Sequence, residues 1–130
     1  MPDSLAMSAA ILVTAVVLVG AGALMLWLAR RGADGTLARN QLVGVRTALT
    51  LSSDAAWHAG QRAAAPRITV AGWGAIGGGV ALVVLALVAL PFQVAMTAYC
   101  LLAFGSAAWL LAWVVAAAAP AQRAARAAVA

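Results

Sequence analysis

The chain has 130 residues, 66% of them apolar and 8% charged, with a formal net charge of +5. A soluble domain carries about a quarter charged residues, so this composition cannot cover a water-facing surface and excludes an ordinary soluble fold. The length allows one domain.

All eight basic residues are arginines: Arg30, Arg31, Arg39, Arg46, Arg62, Arg67, Arg123 and Arg126. They flank apolar runs instead of lining one face of a soluble domain, which argues against nucleic acid and for anionic lipid headgroups as the partner. The single cysteine, Cys100, has no partner for an intramolecular disulfide and no cationic neighbour in sequence, so it reads as a small packing residue.

The first apolar run, residues 8–29, is uninterrupted by charge. At 1.5 Å per residue it gives roughly 33 Å of helix, enough for a hydrocarbon core of about 30 Å. A cleaved leader is the competing interpretation. Asp3, the lack of a basic segment before the run, the run's length and the Arg30-Arg31 pair that follows all favour a retained span.

Residues 30–67 form a polar connector. Its first part, through Arg39, contains glycine and charge and predicts a turn leaving the first helix. Residues 36–51 mix apolar and polar side chains irregularly and predict a short, partly helical interfacial segment, with Gly44 at a tight bend or close approach. From Thr50 onward the pattern sharpens. Ser52 or Ser53 can cap a helix, Asp54 complements its dipole, and Trp57, Gln61, Ala64 and Ala65 share one face, with Trp57 suited to the interface. Pro66 is expected to end this short amphipathic helix just before the next span.

The second span covers residues 68–90 and the third 94–118, with Pro91-Phe92-Gln93 as a very short turn that forces a hairpin. A tail, 119–130, holds Arg123 and Arg126 among alanines and reads as a helical extension or disorder. Six arginines lie in the connector and two in the tail. With three crossings, connector and tail share a side. The positive-inside rule makes that side cytoplasmic, with the N-terminus outside, and places the chain in the plasma membrane as a multi-pass protein. Trp27, Trp73 and Trp113 stand near the same ends of their spans, as an interfacial belt would.

Helix contacts are expected at small residues: Gly74 and Gly78 at GxxxG spacing, and Ala108 and Ala112, which repeat with Ala116. Packing between the second and third helices is favoured over a dimer face. The glycine cluster at Gly72, Gly74 and 77–79 is a candidate for a kink. The fold expected is an all-α membrane protein, with three transmembrane helices and a cytoplasmic loop carrying a short amphipathic helix between the first and second.

Little here supports catalysis. Asp54 and His58 are four residues apart, but no third ligand of suitable type is close, so a helix-surface pair is expected and no metal or cofactor. Ser53, Asp54 and His58 have the residue types of a triad, but local helix neighbours cannot aim at one carbonyl. Arg46, between Val45 and Thr47, has three uses open to it. It can clamp a lipid phosphate, pair with Asp54, or cap loop carbonyls together with an ordering role for Asn40.

The spacing Asn40, Val43-Gly44-Val45-Arg46-Thr47, Thr50-Leu51, Trp57 and Arg62 resembles the signature of the SdpI family of bacterial membrane proteins. The family often has proline after the asparagine, where this chain has Gln41. It often has histidine one turn beyond the tryptophan, where this chain has Gln61. The resemblance implies a non-catalytic immunity protein, conferring resistance to a membrane-active peptide toxin. It makes Asn40, Gly44, Arg46, Thr47, Thr50, Trp57 and Arg62 the residues expected to contact partner or lipid. A small accessory subunit of a larger membrane complex is the alternative. An enzymatic or lipid-handling site would require Asn40, Arg46 or His58 to converge on one pocket.

Overall fold

A computed structural model describes residues 2–130. It contains α1 (Pro2–Asp34), α2 (Asp54–Leu87) and α3 (Phe92–Val129), joined by residues 35–53 and 88–91. There is no strand among the described residues. All three helices are long and apolar enough to cross a membrane. Runs of alanine, leucine and valine in lipid leave the backbone no water to bond, so helices that satisfy their own amides are the available solution.

The helices form a layer with α2 in the middle, packed on both neighbours, while α1 and α3 barely meet. Small residues set the spacing. A Cβ at Gly72 would lie 2.9 Å from the Gly22 carbonyl of α1, and one at Gly78 would overlap the Ser106 hydroxyl of α3. The glycines of α2 thus divide between two contact faces, and α2 runs through them as one helix. Gly74 and Gly78 lie against Trp109 and Ser106 of α3. Ala108 and Ala112 do not pack inside the chain: both are exposed, as is Ala116. The buried positions of α3 are Ser106, Ala117, Ala121 and Ala125, offset around the helix from the alanine row.

One expectation about helix ends is corrected. Pro66 does not separate a short helix from a span but lies inside a continuous α2; α3 likewise runs through Pro120, so the tail is a helical extension. Proline withholds one N–H and its ring crowds a carbonyl four residues back. Here the axis is held on both sides of Pro66 by Ala64, Ala65 and Ile68, which pack with Ala29 of α1 and with Ala117 and Ala121 of α3. Alanine flanks also favour helix. The residues expected to be partly helical, 36–51, are turns and bends instead.

The helices of 33, 34 and 38 residues are about 50–57 Å long, against a hydrocarbon core of about 30 Å. Contacts of Gly32 with Gln61 and of Gly60 with the Ala121 carbonyl align the C-terminal end of α1, the N-terminal end of α2 and the C-terminal end of α3. All eight arginines belong to that end. The surplus helix length and residues 35–53 build a head there. At the opposite end Ile11, Ala15, Leu18 and Leu82 make a separate apolar cluster, and the Tyr99 and Thr14 hydroxyls lie 3.0 Å apart.

Candidate functional site

The head is organised by how the chain leaves α1 and returns along α2. Gly35, at φ +73°, ends α1, and the Thr36 amide donates back to the Arg31 carbonyl at 3.0 Å, a Schellman closure that reverses the chain. The reversal drops Leu37 onto Leu28 and Trp57. Trp57 is fully buried, and its indole N–H donates to the Leu37 carbonyl at 2.7 Å. The expected shared face of Trp57, Gln61, Ala64 and Ala65 therefore exists, but the connector covers it. Trp57 is an interior anchor of the head and not a side chain at the lipid interface, because the folded-back loop gives its ring apolar neighbours and its N–H a partner.

Asn40 shapes the next bend. Its Oδ1 accepts from the amides of Leu42 and Val43, both at 2.8 Å, and its Nδ2 donates to the Ala38 carbonyl at 2.9 Å. The side chain is spent on its own loop. Gly44 follows at φ +106°, where a Cβ would stand 2.9 Å from the Trp57 ring and 3.0 Å from Gln61 Oε1. Val45 then meets Gln61. Its N–H donates to Oε1 at 3.0 Å, and its carbonyl accepts from Nε2 at 2.8 Å and from the Thr50 hydroxyl at 2.9 Å.

Thr47 and Thr50 bond reciprocally. The Thr47 amide donates to Thr50 Oγ1 at 2.8 Å and the Thr50 amide to Thr47 Oγ1 at 3.1 Å. The Thr47 hydroxyl donates onward to Gln122 Oε1 of α3 at 2.6 Å, so the turn ties the loop to the third helix. Thr50 is fully buried, its methyl seated where Gly60 has no side chain. Ser53 caps α2, accepting from the Ala56 amide at 3.1 Å.

Of the three uses open to Arg46, pairing with Asp54 is not the one found. Asp54 pairs with Arg39 at 3.2 Å, and Arg46 donates from Nη1 to the Gln41 carbonyl. Arg62 reaches the Ala33 carbonyl at 3.4 Å and, with Arg30, Asp34 and Trp73, borders an open recess of about 430 Å³ between α1 and α2. His58 is half-buried, and the cavity that Arg46 borders is lined by neither His58 nor Asn40. Among the described residues no cluster of His, Cys, Asp or Glu could hold a metal ion.

Gln61, Gln122 and Leu37 hold the head together although none was among the residues expected to contact partner or lipid. Gln61 had a signal, an amide four residues beyond a tryptophan on an otherwise apolar face. Gln122 had a weaker one, a lone amide in an alanine tract. Leu37 had none, since its role depends on a chain reversal.

The polar residues of the connector thus form one closed hydrogen-bonded cap on the ends of three helices. Residues 36–119 match the family model described as the SdpI/YfhL protein family, a match that runs from this cap through α2 and most of α3. No curated protein and no solved structure matches the chain.

Proposed function

The chain belongs to the SdpI/YfhL protein family, and from that premise we propose that it is a non-catalytic, multi-pass membrane protein conferring resistance to a membrane-active peptide. The observation that carries this reading is the reach of the family match, over the cap and the two helices it closes. The geometry is in keeping with it. Asn40, Thr47, Thr50 and Gln61 use their polar atoms on one another and on the backbone, which supports a rigid head over a reaction centre. The arginine-rich head faces the cytoplasm and the N-terminus lies outside, a placement supported by the positive-inside rule.

Resistance is tested by challenging a strain lacking the gene, and the same strain complemented with the wild-type gene, with peptides from the organism's own spent medium. Selective loss of membrane potential without the gene is expected; equal survival of the two strains overturns the reading. Sidedness is tested in a Cys100→Ala background with Asp3→Cys or Arg126→Cys. An impermeant thiol reagent applied to intact cells should label only the former, and labelling of Arg126→Cys reverses the orientation.

A second reading, an accessory subunit of a larger complex, is favoured by the outward row of Ala108, Ala112 and Ala116 on α3. Small exposed residues in a membrane helix permit another helix to come close. Ala112→Leu would then strip a stoichiometric partner from the detergent-solubilised protein while leaving the chain folded. Purification of wild type without any partner removes this reading.

A further inference from the structure

Because α1 and α3 flank α2 without closing on each other, a cleft of about 380 Å³ opens over α2 beneath the cap. Its size falls in the range of small-molecule sites, roughly 300–1,000 Å³. Its walls are apolar: Met25 from α1, Ala64 and Ile68 from α2, Val114 and Val115 from α3. Its roof is the polar connector, with Arg46 on the rim. We propose that this cleft holds one acyl chain of an anionic phospholipid, with the lipid phosphate seated on Arg46. This inference does not rest on the resistance reading.

Three observations commit the cleft to that occupant. Its apolar part is lined by Met25, Leu28, Ile68, Val114 and Val115, at the ends of the three apolar runs, and its rim by Arg46 and Thr47 of the connector, the order in which an acyl chain meets a phosphate. Next, the rim has the right charge. Arg46 has no carboxylate partner among the described residues, and the Gln41 carbonyl holds its guanidinium in place. A guanidinium has five N–H donors in a planar fork suited to phosphate, so most remain for the ligand. Finally, the surroundings attract anions. The arginine end carries eight arginines against Asp34 and Asp54, Asp3 being at the other end. Anionic lipid is drawn to such a surface.

Native mass spectrometry of the purified protein in non-ionic detergent tests this, with dioleoyl phosphatidylglycerol and dioleoyl phosphatidylcholine as probes. Wild type should take one phosphatidylglycerol per chain, about tenfold more tightly than phosphatidylcholine. Arg46→Gln should bring the first lipid down to the level of the second, Arg46→Lys should keep most of the preference, and Val115→Trp, at an exposed position of the cleft wall, should weaken both. Tyr99→Phe, at the opposite end of the bundle and away from the cleft, should leave both unchanged. Circular dichroism and tryptophan fluorescence identify any variant that has lost its fold, and Ala118→Phe replaces Val115→Trp if that one has. Unchanged phosphatidylglycerol binding in folded Arg46→Gln and in the cleft-filling variant overturns the proposal. Equal binding of the two lipids, or a co-purifying peptide that occupies the cleft instead, overturns it as well.

Discussion

The side-chain amide of Gln61 and the backbone of Val45 exchange two hydrogen bonds, Val45 N–H donating to Oε1 at 3.0 Å and Nε2 donating to the Val45 carbonyl at 2.8 Å. One glutamine on α2 thereby replaces the strand partner that an extended loop residue would otherwise need. With only 5% of Gln61 exposed, water is poorly placed to take over either bond.

Gln61→Leu should therefore lower stability by about 1–3 kcal/mol, the cost of leaving a buried amide unpaired. The Thr50 hydroxyl still serves the Val45 carbonyl, so the loss falls mainly on the Val45 N–H. Gln61→Glu should do worse, since a buried carboxylate would face that carbonyl. Thermal unfolding in detergent, followed by circular dichroism, measures both; a midpoint equal to wild type would show that the loop does not depend on this pair.

Gly44 and Gly35 make a graded comparison. Both have positive φ, which costs a side-chain-bearing residue about 1–2 kcal/mol. At Gly35 the nearest atom to an added Cβ is the tip of Arg62 at 3.5 Å, whereas at Gly44 it is the buried Trp57 ring at 2.9 Å. Gly35→Ala should show the conformational cost alone. Gly44→Ala should cost more and shift the Trp57 contribution to fluorescence, and equal destabilisation of the two would contradict the packing described.

The Thr47–Gln122 bond is a direct hydrogen-bonded link from the connector to α3. A double-mutant cycle of Thr47→Val and Gln122→Leu should give a coupling of about 0.5–1.5 kcal/mol. Thr47→Val should be the costlier single change, because that hydroxyl also accepts from the Thr50 amide. Strict additivity would mean that the loop and α3 are energetically independent.

Gly74 of α2, which faces α3, and Ala112 on the outer side of α3 should respond differently. A Cβ at Gly74 would overlap the Trp109 indole, whose N–H donates to the Val70 carbonyl at 3.1 Å. Gly74→Ala should displace that ring and loosen the α2–α3 contact, read as a lowered unfolding midpoint and a changed tryptophan spectrum. Ala112→Leu, on the outer face, should leave the isolated chain's midpoint within about 0.5 kcal/mol of wild type.

Composition and the length of the apolar runs determined the class of this protein by themselves. Where so few side chains can face water and every backbone amide must find a partner in lipid, three long helices follow, and arginine placement marks one end of each. Local signals were also legible where they depend on near neighbours, as at the Ser53 cap and the Gly44 bend. What the sequence could not reveal depends on residues far apart in the chain. Pro66 looks like a break until Ala29, Ala117 and Ala121 are seen to clamp the helix around it. Trp57 looks like an interface residue until the reversal at Gly35 lays Leu37 over it. The alanine row of α3 reads as a packing face, yet the angular position of Ser106 and Ala117 turns it outward. Only the tertiary structure decided these, because the partner that completes each hydrogen bond or fills each contact sits on another helix or on the folded-back connector, and a one-dimensional pattern holds no record of the distance between them.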